Sequence, residues 1–156
     1  MTQVQEELHI VAFMCWKWGY GASDMSGTIR AQYPTILRSI LVSCSGRVST
    51  DMVMRAFGKG ADGVAIIGWY EHECNFNTGA KHAGRNVKYY QQVLDSVGLE
   101  PERISMHYCS AAEGQRFQKT IIDTAAKITQ LGPSPLRKLA PKPKPKSDTK
   151  KETKKK

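Results

Sequence analysis

Four cysteines stand at positions 15, 44, 74 and 109, far apart in the chain. Thiolates are soft ligands that select iron–sulfur clusters, zinc or Cu(I). A cluster usually takes four such anchors. No two of the four form the tight CxxC pair common at structural zinc. If these thiols act together, the fold must gather them.

The elements that would do so are legible. Four short apolar runs, His9–Met14, Leu37–Ser43, Gly63–Gly68 and Arg103–Tyr108, have the length and β-branched content of strands. The third is continuously apolar, as expected of a strand buried on both faces of a parallel sheet. Helical patterns lie between and after them. Met25, Ile29 and Tyr33 predict one apolar helix face, stopped by Pro34. Val53, Ala56 and Phe57 mark a second helix, ended by Gly58 and Gly60. Val87, Tyr90, Leu94 and Val97 mark a third, ended at Gly98. In the fourth, Ser110 and Glu113 have capping-box spacing, Phe117, Ile121, Ala125 and Ile128 share a face, and Gly132-Pro133 closes the helix. The order β-α-β-α-β-α-β-α predicts an α/β fold, a small parallel sheet of about four strands flanked by helices.

Each cysteine then falls at or just past the carboxyl end of a strand. In an open α/β sheet those ends share one edge, where ligands bind. The pattern therefore predicts that Cys15, Cys44, Cys74 and Cys109 converge as ligands at the carboxyl edge of the sheet. Gly46 allows close backbone approach in the Cys44-Ser45-Gly46-Arg47 turn, and Arg47 can offset negative charge beside the thiols. A free cysteine also serves as a small core hydrophobe. That role suits Cys109, which extends an apolar strand. His72 is a further imidazole in the third loop. The turn after the first strand, CWKWGYG, is not a dinucleotide-binding fingerprint, and no cysteine carries a catalytic signature.

Composition bounds the rest. The chain has 156 residues and a net charge of +9. Ten Lys and Arg against two acidic residues in 137–156 supply +8 of it. A basic stripe on the folded surface, which nucleic-acid binding needs, is thus not indicated. The sequence predicts a domain over 8–136 and a disordered basic tail over 137–156. No run is apolar enough for a membrane span. The first residues lack the features of a signal peptide, so a cytoplasmic location is expected. The cysteines are then ligands or redox thiols rather than disulfides. Lys81, His82, Arg85 and Lys88 give the third helix a basic face, either solvated surface or a dock for an acidic partner.

Longer segments carry a resemblance. Phe13-Met-Cys15, Ala22-Ser-Asp24-Met-Ser-Gly27, Arg30-Ala-Gln-Tyr-Pro34, Cys44-Ser-Gly-Arg-Val48, Ala56-Phe-Gly-Lys-Gly-Ala-Asp-Gly-Val64, Glu73-Cys74, Gly98-Leu-Glu-Pro-Glu-Arg103, Ser110-Ala-Ala-Glu-Gly114 and Leu131-Gly-Pro133 occur in order. Over roughly Ile10 to Pro135 the chain resembles the delta subunit of methyl-viologen-reducing hydrogenase. The resemblance implies a non-catalytic electron-transfer subunit of an oxidoreductase complex, carrying a [2Fe–2S] cluster. The implied partners are a hydrogenase, formate dehydrogenase or another oxidoreductase on one side and a flavin protein resembling heterodisulfide reductase A on the other. The implied setting is flavin-based electron bifurcation in anaerobic metabolism.

Against that pattern, Cys15, Cys44 and Cys74 are kept. Trp18 stands where the family usually has the second cysteine of a CxxC. Trp69 stands where it usually has a cysteine after Gly68. Cys109 stands where it usually has an apolar residue. The expectation is a cluster with an altered ligand set, Cys109 or His72 completing it. The alternative is a structural adaptor that kept the fold and lost the cofactor, with the tryptophans filling the vacated space. A zinc-stabilised domain is a lesser alternative.

Overall fold

The computed structural model of the chain describes residues 8–140. Four parallel strands form its centre: β1 (Ile10–Cys15), β2 (Leu37–Val42), β3 (Gly63–Gly68) and β4 (Ile104–Tyr108). Their order is β2-β1-β3-β4. The helices between and after them are α1 (Gly19–Thr28), α2 (Thr50–Gly58), α3 (Gly79–Ser96) and α4 (Gly114–Leu131), with short 3₁₀ turns at Ser45–Arg47, Pro101–Arg103 and Pro135–Leu139. The expected parallel α/β fold is therefore present, with strand limits within a residue of those read from the apolar runs.

Side chains alternate across a strand with period two, and the alternation sorts the core. Phe13, Val64, Ile66 and Ile104 pack with Val53 and Phe57 of α2 and with Val87, Tyr90 and Leu94 of α3. On the opposite face Ala12, Met14, Ala65 and Ile67 pack with Ala22 of α1 and with Phe117 and Ile121 of α4. All six residues of β3 are buried, because that strand has a neighbour on each side and helices over both faces.

The face expected for α4 is the one it buries, through Phe117, Ile121, Ala125 and Ile128. The expected face of α1 is not. Helix α1 ends at Thr28, well before the Pro34 expected to stop it, so Ile29 and Tyr33 lie beyond the helix. Within it Gly19, Ala22 and Ser26 point inward, while Met25 is exposed. The reason is space. A Cβ on Gly19 would come within 2.5 Å of the Ile67 carbonyl oxygen, so only a small residue lets this helix lie on the sheet. Gly98 and Gly132, which follow α3 and α4, have φ of 78° and 74°, a conformation glycine adopts without a Cβ penalty. The Ser110–Glu113 pair forms half of a capping box. The Ser110 amide donates to the Glu113 carboxylate at 2.6 Å, but α4 begins only at Gly114.

Two buried charges tie the lower edge together. Arg103 donates to the Asp62, Gly132 and Leu131 carbonyls and to Glu100. Asp62 accepts from the His9 and Ser134 amides and from Arg137. Pro135–Leu139 therefore forms an ordered turn against the domain. The remainder of the sequence-predicted tail, 141–156, lies outside the described residues. Among the described residues no helix is long and apolar enough to cross a membrane.

Candidate metal centre

β1 and β3 are neighbours from which the chain departs in opposite directions, to β2 and to β4. Such a switch point leaves a crevice at the carboxyl ends of the strands. Cys15 ends β1 there, Cys44 follows β2, and Cys74 lies in the loop between β3 and α3. The three line one small cavity together with Trp18, Trp69 and Phe76.

The thiols are held by backbone. The Gly19 amide donates to Cys15 Sγ at 3.3 Å. Cys44 and Cys74 meet over the first residue of α3: a Cβ on Gly79 would lie 2.5 Å from Cys44 Sγ and 3.4 Å from Cys74 Sγ. Glycine here leaves the room the two sulfurs occupy. Burial raises the pKa of Cys44 above that of a free thiol. The Gly46 amide opposes this by favouring the thiolate, the neighbouring Cys74 and Cys15 reinforce it by like charge, and the Arg47 amide opposes it weakly. Gly46 and Arg47 thus act on Cys44 through their amides, and the Arg47 side chain is exposed.

Cys109 ends elsewhere. Strand alternation carries Ser105, His107 and Cys109 onto the α1/α4 face, where Cys109 is wholly buried with Met14, Ala22 and Phe117. Burial drives its thiol up to about 11, against a weaker opposing bond from Thr120. By the same alternation Cys15 follows Phe13, on the α2/α3 face. The structure brings three of the four cysteines around one cavity, while Cys109 packs in the α1/α4 cluster, near enough to Cys15 for the charges of the two thiols to interact. The signal was in the sequence: Cys109 has the parity of Ser105 and His107, not that of the apolar Ile104 and Met106. His72 is exposed.

Trp18 and Trp69 stack on each other, ring centroids 3.9 Å apart and planes 23° from parallel. They come from the two loops at the switch point, so two departures from the resembled pattern that are far apart in sequence fill one space. Both indole Nε1 atoms are buried without a hydrogen-bond partner. Lys17 lies over Trp18 and its ammonium donates to Asn75. Tyr70 and Tyr108 continue the aromatic row and donate to Glu113 and Glu71. Trp16 and Phe76 flank the cavity with more than half of their surface exposed.

These features set what the site can hold. Three thiols and the amides beside them suit the sulfur-rich surface of an iron–sulfur cluster. Cys109 does not line their cavity. Among the described residues no three His, Cys, Asp or Glu side chains close on a single point where one metal ion could sit. The thiols line a cavity of only about 10 Å³, room for about one water, so the tryptophan stack and the thiols would have to part for a cluster to enter.

The family model for the delta subunit of methyl-viologen-reducing hydrogenase matches residues 10–132. The chain is 40% identical over 128 residues to the vhu iron-sulfur subunit of the F420-non-reducing hydrogenase of Methanocaldococcus jannaschii, covering 82% of this chain and 96% of that one. The corresponding vhu protein of Methanococcus maripaludis gives the same identity and coverage. The chain is also 37% identical over 124 residues to part of the ferredoxin/F(420)H(2)-dependent CoB-CoM heterodisulfide reductase of Methanosarcina acetivorans, covering 80% of this chain but 16% of that polypeptide. By its fold, its cysteine edge and these matches, the chain belongs to the methyl-viologen-reducing hydrogenase delta subunit family.

Proposed function

We propose that this protein is an electron-transfer subunit of a hydrogenase- or heterodisulfide-reductase-type assembly, with a [2Fe–2S] cluster held by Cys15, Cys44 and Cys74. The observation that carries this reading is the gathering of those three thiols around one cavity at the switch point. Such a cluster, when bound, supplies a one-electron couple. The protein's own residues hold and shield it. The Gly19, Gly46 and Arg47 amides favour negative charge on sulfur, and the Trp18–Trp69 stack excludes water from one side. The exposed Trp16 and Phe76 beside the cavity suit a partner that approaches the cluster at this edge. Its partners are an oxidoreductase that delivers electrons and a flavin protein akin to heterodisulfide reductase A. Cys109 is assigned to the core rather than to the iron, and the fourth ligand position falls to a group other than this thiol.

A second reading is favoured by the tryptophan stack. Two large rings occupy the space where the family usually has two cysteines, which suits a cofactor-free adaptor. Iron and acid-labile sulfide in the anaerobically purified native complex, with an EPR spectrum of the reduced state, separate the two. About two of each per chain is the expectation for a [2Fe–2S] cluster, with Cys44→Ser losing both and Cys109→Ala keeping both. Iron-free protein that still assembles establishes the adaptor. Iron lost from Cys109→Ala, in a variant that stays folded, returns Cys109 to the ligand set.

A further inference from the structure

The strand farthest from the cysteines is the least covered part of the sheet. β2 pairs on one side only, with β1. Its residues 38–41 are exposed in succession, so this middle stretch lies under no helix on either face, while Leu37 and Val42 at its two ends pack into the core. Ile40 and Leu41, which point to opposite faces, are 42% and 53% exposed. The other edge strand, β4, has no exposed residue. A sheet face must be covered to be dry, and α/β domains normally lay helices over both.

On the α2/α3 face the gap is a groove of about 550 Å³. Val11, Phe13 and Ile40 form its floor, and Met52 and Ala56 of α2 form one wall. Its polar lining is cationic. Arg38, Arg55 and Lys59 stand on the rim with His9. Arg38 donates to the Thr35 and Leu37 carbonyls, which leaves its charge unneutralised. Arg55 pairs with Asp51 across a largely exposed contact, a pairing that contributes little. Ala140, the last described residue, rests against Gly60 at the groove's end. The sequence after it has eight lysines and two acidic residues.

We propose that this groove and the β2 edge are a docking surface for an amphipathic segment of a partner protein, apolar on the side that meets Ile40 and Met52 and flanked by carboxylates that meet Arg38, Arg55 and Lys59. Charge selects this occupant. The chain's own residues after 140 are cationic and would meet a cationic rim. A second copy paired edge to edge through β2 would set two such rims against each other. An acidic segment matches the rim and the lysines that follow Ala140. The surface lies at the opposite end of the strand from the Cys15 edge, since His9 and Gly60 line it, so it is free while the cysteine edge faces another protein. The inference rests on the reading of this chain as one component of a larger assembly, and does not depend on whether a cluster is bound.

The test uses the full chain in its native assembly. Ile40→Glu and the pair Arg55→Glu/Lys59→Glu are introduced, with Lys81→Glu/Arg85→Glu on the exposed α3 face as a comparison. Circular dichroism of each purified chain confirms folding. Expected is loss of the chain from the isolated assembly for both groove variants and not for the α3 variant. Amide exchange in the wild-type assembly should slow over 37–42 and 50–58 relative to the free chain. Unchanged co-purification of both folded groove variants overturns the proposal. So does a free chain that is dimeric and becomes monomeric with Ile40→Glu, which assigns the face to a second copy. Faster exchange over 37–42 in a free chain ending at residue 140 assigns it to the chain's own terminus. Iron measured on the same samples keeps the two readings apart: an iron-free chain that is still released by Ile40→Glu refutes the relay and leaves this surface standing.

Discussion

At the scale of single residues, Gly79 does the most to shape the thiol group. It is the first residue of α3, and the sulfurs of Cys44 and Cys74 occupy the volume its Cβ would take. In an ordinary helix, alanine for glycine stabilises by about 1 kcal/mol. Here Gly79→Ala is expected to displace both thiols and to lower bound iron, while the melting temperature changes little, as iron analysis beside a thermal melt would show. Cys109 illustrates the reverse case. Its thiol is buried in an apolar cluster and held near 11, conditions that keep it protonated and inert. Cys109→Ala is expected to cost roughly 1–2 kcal/mol through lost packing, read by urea denaturation, with iron retained. Four cysteines at strand ends were legible in the sequence. That one of them turns to the other face followed from period-two alternation, but only once the last residue of each strand was fixed.

Among the elements, α4 and the 3₁₀ turn before β4 depend on one another through Arg103. The guanidinium reaches the carbonyls of Leu131 and Gly132 at the carboxyl end of α4 and the carbonyl of Asp62 before β3. A cation at a helix carboxyl end complements the dipole and satisfies carbonyls that lack an intrahelical partner. Arg103→Met is expected to cost about 3 kcal/mol, the size of loss seen when one partner of a buried charged network is removed. Arg103→Lys should recover only part, because a lysine cannot span three acceptors in one plane. Chemical denaturation of both variants checks this. By contrast α1 has no such anchor and lies on the sheet through small residues, which is why its apolar residues misled. Met25 and Ile29 have helical spacing, yet the sheet and α4 leave room only for Gly19, Ala22 and Ser26.

For the molecule as a whole, stability should fall with pH in two separate windows. His107 bonds to Ser105 and Thr124 beneath α4. Burial lowers its pKa below 6.5, with Asp123 opposing weakly and Lys127 reinforcing. A base whose folded-state pKa is depressed binds its proton more readily when unfolded. The stability it contributes is complete above about 6.5 and is lost as pH falls from there towards the folded pKa. Glu100 and Glu113, held below the usual carboxylate range by Arg103 and by the Ser110 amide, act only lower, as pH falls through and below 4.5. His107→Gln is expected to flatten the upper window and leave the lower one. Denaturation midpoints between about pH 7 and about pH 3 distinguish them. Loss of the upper slope without His107 confirms the assignment, and an unchanged slope overturns it.

The sequence by itself determined the local structure. Apolar run length marked four strands, 3.6-residue spacing gave the buried face of α4, and glycine marked the ends of α2, α3 and α4, because each depends on neighbours within a turn or two of chain. Pro34 did not mark the end of α1, which stops at Thr28. It also determined which residues could act as soft ligands and that most of the net charge lies after residue 136. The tertiary structure decided everything that depends on strand order. Only the order β2-β1-β3-β4 puts the switch point between β1 and β3, draws Cys15, Cys44 and Cys74 around one cavity, stacks Trp18 on Trp69 and leaves residues 38–41 of β2 exposed. Those contacts join residues from separate crossovers. No pattern within one crossover encodes which strand will be its neighbour, and the packing of helices over the sheet makes that choice.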